Sequence, residues 1–326
     1  MSSAVHIEGL TKDYTVGFWG RRRYRALDRL ALSIEPGEVF GFLGPNGAGK
    51  TTTLKLLMQL IFPTSGRAEI LGRPVGDVAA RRRIGYLPEN PYFYDYLTAE
   101  ELLTYFAQLL DVPAADRRRR VSTLLDRVGI GRERRFQLRK FSKGMVQRVG
   151  IAQALLNEPE VVFLDEPMSG LDPLGRRDVR ALILELRDQG RTVFFSSHIL
   201  ADAEALCSRV AIIAGGRLAA IGRLGELAEF AVGGWELVVA NLTPEALERF
   251  RPLTTRVTAI GAGRYTLELP LAQAPERLIP EIAATGAMLV SMNPVRETLE
   301  DFFVRRVAEA GAAERADTPE RHHAGG

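Results

Sequence analysis

Gly44-Pro45-Asn46-Gly47-Ala48-Gly49-Lys50-Thr51, running on into Thr52-Thr53-Leu54-Lys55, decides how this chain is read. The stretch fits G-x-x-x-x-G-K-[ST]. It follows the apolar run EVFGFLG at 38–44 and precedes the helical pattern TTTLKLLMQL, the context that a phosphate-cradling loop requires. Gly44, Gly47 and Gly49 let successive backbone N–H groups turn toward phosphate oxygens, and the start of the helix adds positive potential. Lys50 would bridge the phosphates and Thr51 would offer its hydroxyl to a magnesium ion, so the expected nucleotide-binding set runs from Gly44 through Pro45, Asn46, Gly47, Ala48 and Gly49 to Thr52.

A second segment downstream completes such a site. Val161-Val-Phe-Leu-Asp165-Glu166-Pro167 is an apolar strand ending in two carboxylates, where an α/β sheet delivers catalytic groups. On its own the pair equally suits a helix cap. Behind a phosphate loop, Asp165 is expected to hold magnesium, and Glu166 to polarise or orient the water that attacks the terminal phosphate.

The remaining composition sets bounds. A length of 326 residues predicts about two domains, and 46% hydrophobic with 25% charged residues places the chain among ordinary globular proteins. Forty-three cationic against 40 anionic side chains leave a formal charge of only +3, which gives no dominant field for nucleic acid, and none is expected as a partner. The arginine runs at 21–23, 81–83 and 117–120 read as solvated faces. A single cysteine, Cys207, excludes an internal disulfide and a thiolate-rich metal site, and reads as a small buried residue. The opening MSSAVHIEGL has no basic region followed by an apolar stretch, and nowhere do eighteen apolar residues run together, so neither secretion nor a membrane span is predicted.

Short strands are expected over 4–43 and a helical insert from about residue 90 to 158. Parallel-sheet strands return at VVFLD (161–165), TVFFSSH (192–198) and RVAIIAGG (209–216). From Gly234 the order strand, helix, strand, strand, helix, strand, then a terminal helix, predicts a small ferredoxin-like α+β domain over 234–306, with a disordered tail over 311–326.

Residues 4–225 resemble the nucleotide-binding domain of an ATP-binding cassette (ABC) transporter. Several motifs stand in the family's order. Phe141-Ser142-Lys143-Gly144-Met145 lies where the family has its LSGGQ signature, ahead of the helix VQRVGIAQALLNEP. Ser169-Gly170-Leu171-Asp172 resembles the D-loop, and His198 the switch histidine. Tyr14, in Leu10-Thr-Lys-Asp-Tyr14, matches the aromatic residue that stacks on adenine, with Trp19 and Tyr24 as alternatives. Two departures stand out: Glu89 replaces the usual Q-loop glutamine in Ile84-Gly-Tyr-Leu-Pro-Glu89, and Lys143 and Met145 replace residues of the signature.

The resemblance implies a P-loop NTPase cassette of α/β class, with an antiparallel β subdomain and a helical subdomain, that binds and hydrolyses ATP with magnesium. Lys50, Glu166 and His198 would be catalytic, and Thr51, Asp165 and Glu89 would surround the metal. In this family two cassettes pack head to tail, so Ser142, Gly144 and Asp172 would act across a homodimer. A separately encoded transmembrane permease would be the second partner, placing the chain at the inner face of the cell membrane. The segment NPYFYDYLTAEELLTYF (90–106) is the expected coupling surface, unless it serves as ordinary packing, and Glu297-Thr-Leu-Glu-Asp301-Phe-Phe resembles the terminal segment of exporter cassettes. An ABC-type ATPase acting on ribosomes or DNA is the alternative; such relatives carry two cassettes or long coiled-coil insertions, which this sequence lacks.

Overall fold

Strands buried on both faces read as largely apolar runs, and VFGFL at 39–43, VVFL at 161–164 and VFF at 193–195 supply them. The computed structural model describes residues 3–16, 22–224, 226, 232–261, 263–296, 305 and 308, which separate into two compact units, the first with the described residues up to 224 together with 305 and 308, the second with those from 226 to 296. Trp19, the exporter-like segment 297–303, most of the expected terminal helix and the tail lie outside the described residues.

In the first unit, β1 (Val5–Val16) and β2 (Arg22–Ile34) form a long antiparallel pair and β3 (Val39–Leu43) follows. After α1 (Lys50–Leu57) come β4 (Ser65–Ile70), β5 (Arg73–Pro74), the short α2 (Val78–Arg81) and β6 (Ile84–Leu87). Three helices fill the next stretch: α3 (Ala99–Leu109), α4 (Ala114–Arg127) and α5 (Lys143–Ala154). Then β7 (Val161–Asp165), α6 (Pro173–Asp188), β8 (Thr192–Ser197), α7 (Leu200–Leu206), β9 (Arg209–Ala214) and β10 (Arg217–Arg223) alternate.

Two sheets result. The antiparallel one runs β2-β1-β4-β5, and the larger runs β10-β9-β3-β8-β7-β6 with all pairings parallel except β10 on β9. Every residue of β3, β7 and β8 is buried. Phe194 sits at the middle of the core, its ring 5.8 Å from Phe40, 5.3 Å from Phe42 and 5.7 Å from Phe163. This sheet sets the carboxyl ends of β3, β7 and β8 side by side, the edge at which open α/β sheets bind ligands.

The helical stretch is amphipathic as its spacing predicts. Leu102, Leu103 and Ala107 of α3 and Val121, Leu124 and Leu125 of α4 are buried. A capping box starts α3: Thr98 Oγ1 accepts from Glu101 N, and Glu101 Oε2 accepts from Thr98 N. In the runs at 81–83 and 117–120, Arg82 pairs with Asp111, Arg83 with Glu160, Arg119 with Asp116 and Arg120 with Glu158. Such exposed pairs contribute little stability each. Cys207 is half-buried, and burial pushes its thiol well above the ordinary value.

The second unit has β11 (Val232–Ala240), α8 (Pro244–Phe250), β12 (Arg256–Gly261), β13 (Arg264–Pro270), α9 (Pro275–Ala284) and β14 (Met288–Arg296). Its four strands pair antiparallel in the order β12-β13-β11-β14. One face, through Leu237, Val239, Leu267 and Leu269, packs on Leu247 and Phe250 of α8 and Leu278 and Ile282 of α9.

Candidate functional site

The loop between β3 and α1 carries Gly44 to Gly49, and its geometry explains its glycines. A Cβ at Gly44 would lie 2.4 Å from Ile213 O, and Gly49, at φ 108°, adopts a conformation that L side chains rarely take while a Cβ there would meet Ala26 O at 2.7 Å. Helix α1 starts at Lys50, so the loop feeds directly into a helix N-terminus. The side chain of Lys50 folds back and is buried: Nζ donates to Gly44 O at 2.7 Å and Pro45 O at 3.2 Å. The ammonium thereby braces the arch of the loop and stands inside it.

Asp165 and Glu166 end β7 beside this loop. Asp165 is fully buried; Oδ1 accepts from Ser196 Oγ at 2.6 Å, and Oδ2 has no hydrogen-bond partner among the described residues. Burial pushes its carboxyl above the ordinary value. Hydrogen bonds from Ser196 and Thr51 oppose that shift, and the neighbouring Glu89 charge adds to it. Glu166 takes the left-handed conformation, φ 50°, which is costly for a residue with a Cβ and is maintained by its surroundings. Its N donates to Ser196 Oγ at 3.0 Å, and its carboxylate is shared: Oε2 lies 2.9 Å from His198 Nδ1 and Oε1 3.3 Å from Lys50 Nζ. The Lys50 contact is an ion pair without hydrogen-bond alignment, since Oε1 has no hydrogen-bond partner among the described residues. The β7–β8 register, which sets Asp165 opposite Ser196, brings both carboxylates and His198 together.

These groups border a cleft of about 480 Å³. Pro45, Asn46, Gly47, Gly49, Lys50, Thr51 and Thr52 line it together with Glu89, Glu166, Ser169, His198, Tyr14, Tyr24 and Ala26. Gly44, Ala48 and Asp165 lie behind the lining, and Ala48 ties the loop to the next hairpin by accepting from Gly216 N at 3.1 Å. Tyr14 and Tyr24 are cross-strand partners, so both of the aromatic residues weighed from the sequence that lie among the described residues reach the cleft. Lys12 Nζ stands 5.2 Å from the Tyr14 ring centroid.

Besides Gly44, Ala48 and Asp165, three more expected residues are absent from the cleft lining. Ser142 caps α5, its Oγ accepting from Met145 N at 3.2 Å; Gly144 lies in the first turn of that helix; Asp172 caps α6, its Oδ1 accepting from Gly175 N at 2.7 Å. Within one chain Ser142 and Asp172 are helix caps. The residue that sequence reading missed is Ser196, which donates to Asp165 and accepts from Glu166 N. Nothing in TVFFSSH distinguishes it; only the strand register does. Gln147, on α5, is another: its Nε2 lies 3.5 Å from Glu166 O and 3.4 Å from Pro167 O, long contacts that join the signature helix to the carboxylate strand.

The donor set suits magnesium. A buried carboxylate oxygen without a partner, a threonine hydroxyl and a nearby second carboxylate are hard oxygen ligands. Among the described residues no group of three or more His, Cys, Asp or Glu is placed to hold a metal ion.

Comparison with known proteins shows the family. The sequence profile described as ABC transporter matches residues 27–169. An uncharacterized ABC transporter ATP-binding protein of Synechocystis is 46% identical over 315 residues, covering 95% of this chain and 86% of that protein. A bacitracin transport ATP-binding protein of Bacillus licheniformis is 41% identical over 221 residues, 67% of this chain and 69% of its own length. Among solved structures, a dimeric ATP-binding cassette in a post-hydrolysis state, bound to ADP and Pi, superimposes with a TM-score of 0.62 at 27% identity, covering 68% of this chain and 98% of that one. Loop, carboxylates, cleft and relatives converge: the chain belongs to the ABC transporter ATP-binding proteins, and it is an ATPase that uses ATP with magnesium.

Proposed function

We propose that the chain is the ATP-hydrolysing subunit of an ABC exporter, working as a head-to-tail pair of cassettes on a separately encoded membrane permease. The observation that carries the hydrolytic reading is Glu166, buried and strained, with its carboxylate set between the cations or donors of Lys50 and His198 on the wall of the cleft. Lys50 would hold the β- and γ-phosphates, Glu166 would take the proton of the attacking water, and His198 would fix the Glu166 carboxylate and reach the γ-phosphate. When bound through Thr51, Asp165 and Glu89, magnesium would neutralise charge on the phosphate oxygens. Tyr14, with Tyr24 across the strand pair, would stack on adenine.

Ser142, Gly144 and Asp172 would work on the nucleotide of the second cassette, which is consistent with their distance from the cleft lining of their own chain and with the dimeric relative. Ser142→Arg tests this. The variant loses a cap worth about 1 kcal/mol, yet it is expected to bind a fluorescent ATP analogue normally while losing ATP-driven dimerisation and most turnover. Normal turnover would remove the cross-chain role.

Glu89 gives a second test. Its charge stands near Asp165 and lines the phosphate cleft, so without metal it repels the γ-phosphate. Turnover of the wild type should therefore fall severalfold more steeply than that of Glu89→Gln as magnesium is lowered. Superimposable magnesium titrations of ATPase rate would remove Glu89 from the metal site.

Export is supported by the exporter-like segment 297–303 and by relatives named for bacitracin transport. The permease contact is placed on residues 90–106, where Tyr92, Tyr94, Tyr96 and Tyr105 are exposed while Leu102 and Leu103 face the core. No helix among the described residues is long and apolar enough to cross a membrane, consistent with attachment to the inner face of the cell membrane through a partner. We assign residues 4–225 to the cassette, with its helical subdomain over about 90–158, and 234–306 to a ferredoxin-like accessory domain, a reading supported by the split β-α-β order of its antiparallel sheet. Co-purification of a membrane protein with the tagged chain tests the whole proposal; recovery with ribosomes or DNA instead would overturn it.

A further inference from the structure

Glu166, Ser169 and His198 line two cavities. One is the nucleotide cleft; the other, of about 210 Å³, is bounded also by Arg176, Asp202 and apolar walls such as Phe195. The second cavity is large enough for a small polyatomic ion with water, and its charges are unevenly matched. Asp202 is buried and already compensated by Arg180, whose Nη2 lies 2.6 Å from Oδ1. Glu166 is compensated by Lys50 at 3.3 Å and faces His198 at 2.9 Å. Arg176 has no such partner. Its Nε makes one long contact, 3.4 Å to Leu171 O, and no carboxylate lies within ion-pair distance of its guanidinium among the described residues.

A half-buried guanidinium in surplus, in a cavity that shares a wall with the hydrolytic carboxylate, selects a small anion. A planar fork of N–H donors suits phosphate oxygens in particular. We propose that this cavity is a product site for inorganic phosphate, with Arg176 as its anchor. The inference rests on the reading that the γ-phosphate is hydrolysed beside Glu166. Hydrolysis leaves hydrogen phosphate next to a carboxylate that repels it and, in a closed pair of cassettes, under the cover of the second chain. A neighbouring cavity with an uncompensated cation lowers the cost of moving that ion away from ADP before the cassettes part.

The test is product inhibition of ATP turnover by the purified 326-residue chain, with inorganic phosphate and ADP titrated separately. Arg176→Gln should raise the Ki for phosphate about tenfold and leave the Ki for ADP within about twofold, because a charge-assisted hydrogen bond to the anion alone is lost. Arg176→Lys keeps the charge without the fork and should fall between the two. An unchanged phosphate Ki in both variants overturns the proposal. So does an equal rise for ADP and phosphate, which would make Arg176 a support for the D-loop. The two levels fail separately: normal turnover in Glu166→Gln removes the assignment of Glu166, whereas an unchanged phosphate Ki alongside an inactive Glu166→Gln removes only the phosphate site.

Discussion

Lys50→Ala is expected to lower ATP turnover by about 10²–10³-fold, the scale for removing one preorganised charge donor from a transition state, and to weaken ATP binding as well. The reason lies in what the ammonium touches. It is buried, it donates to Gly44 O and Pro45 O, and it stands 3.3 Å from Glu166 Oε1. Removing it takes a positive charge from the phosphate cradle, frees two carbonyls that hold the arch of the loop, and leaves the Glu166 carboxylate with His198 as its remaining partner. Turnover measured by phosphate release and affinity measured with a fluorescent ATP analogue check both effects. Lys50→Arg should not rescue, because a guanidinium fork does not fit inside an arch that closes on a single Nζ. Unaltered hydrolysis in Lys50→Ala would sink the assignment of the loop.

Glu166→Gln separates binding from chemistry. The amide keeps the size and the contact to His198, but it cannot take a proton from water, so hydrolysis should fall by about 10²–10⁴-fold, the range for loss of a general base. ATP affinity should hold or rise, because a negative charge facing the γ-phosphate has gone. The strained φ of 50° at this residue is backbone geometry and remains in the variant, so a change in activity reports the carboxylate and not a rebuilt turn.

The parts of the site that rest on contiguous residues were legible in the sequence. Gly44 to Thr52 and Asp165-Glu166 follow from chemistry that needs backbone amides, an ammonium, a hydroxyl and two carboxylates at fixed short spacing, and the structure gathers them around one cleft. The buried strands were legible too, because VFGFL is apolar throughout and VVFL is apolar up to Asp165. Ser196 was not legible, since its role depends on the register that sets it opposite Asp165 across two strands. The β1–β2 pair illustrates the same limit: three register shifts interrupt it, and no local pattern announces them. Strands β4 to β6 carry no clear sequence signal, because SGRAEI and IGYL are short and only partly buried. Ser142, Gly144 and Asp172 stand apart for another reason. Ser142 and Asp172 are satisfied as helix caps within one chain and Gly144 sits in a helical first turn, so the resemblance to the family alone assigns the three a task in the next.

The account turns on ATP being held between two copies of this chain and hydrolysed through Glu166. Its most direct test is the mass of Glu166→Gln in solution, measured by size-exclusion chromatography with light scattering, with and without ATP and magnesium. The account predicts 36.0 kDa without nucleotide and twice that mass with ATP. A variant that stays at the mass of one chain in ATP and still hydrolyses it at the wild-type rate would contradict it.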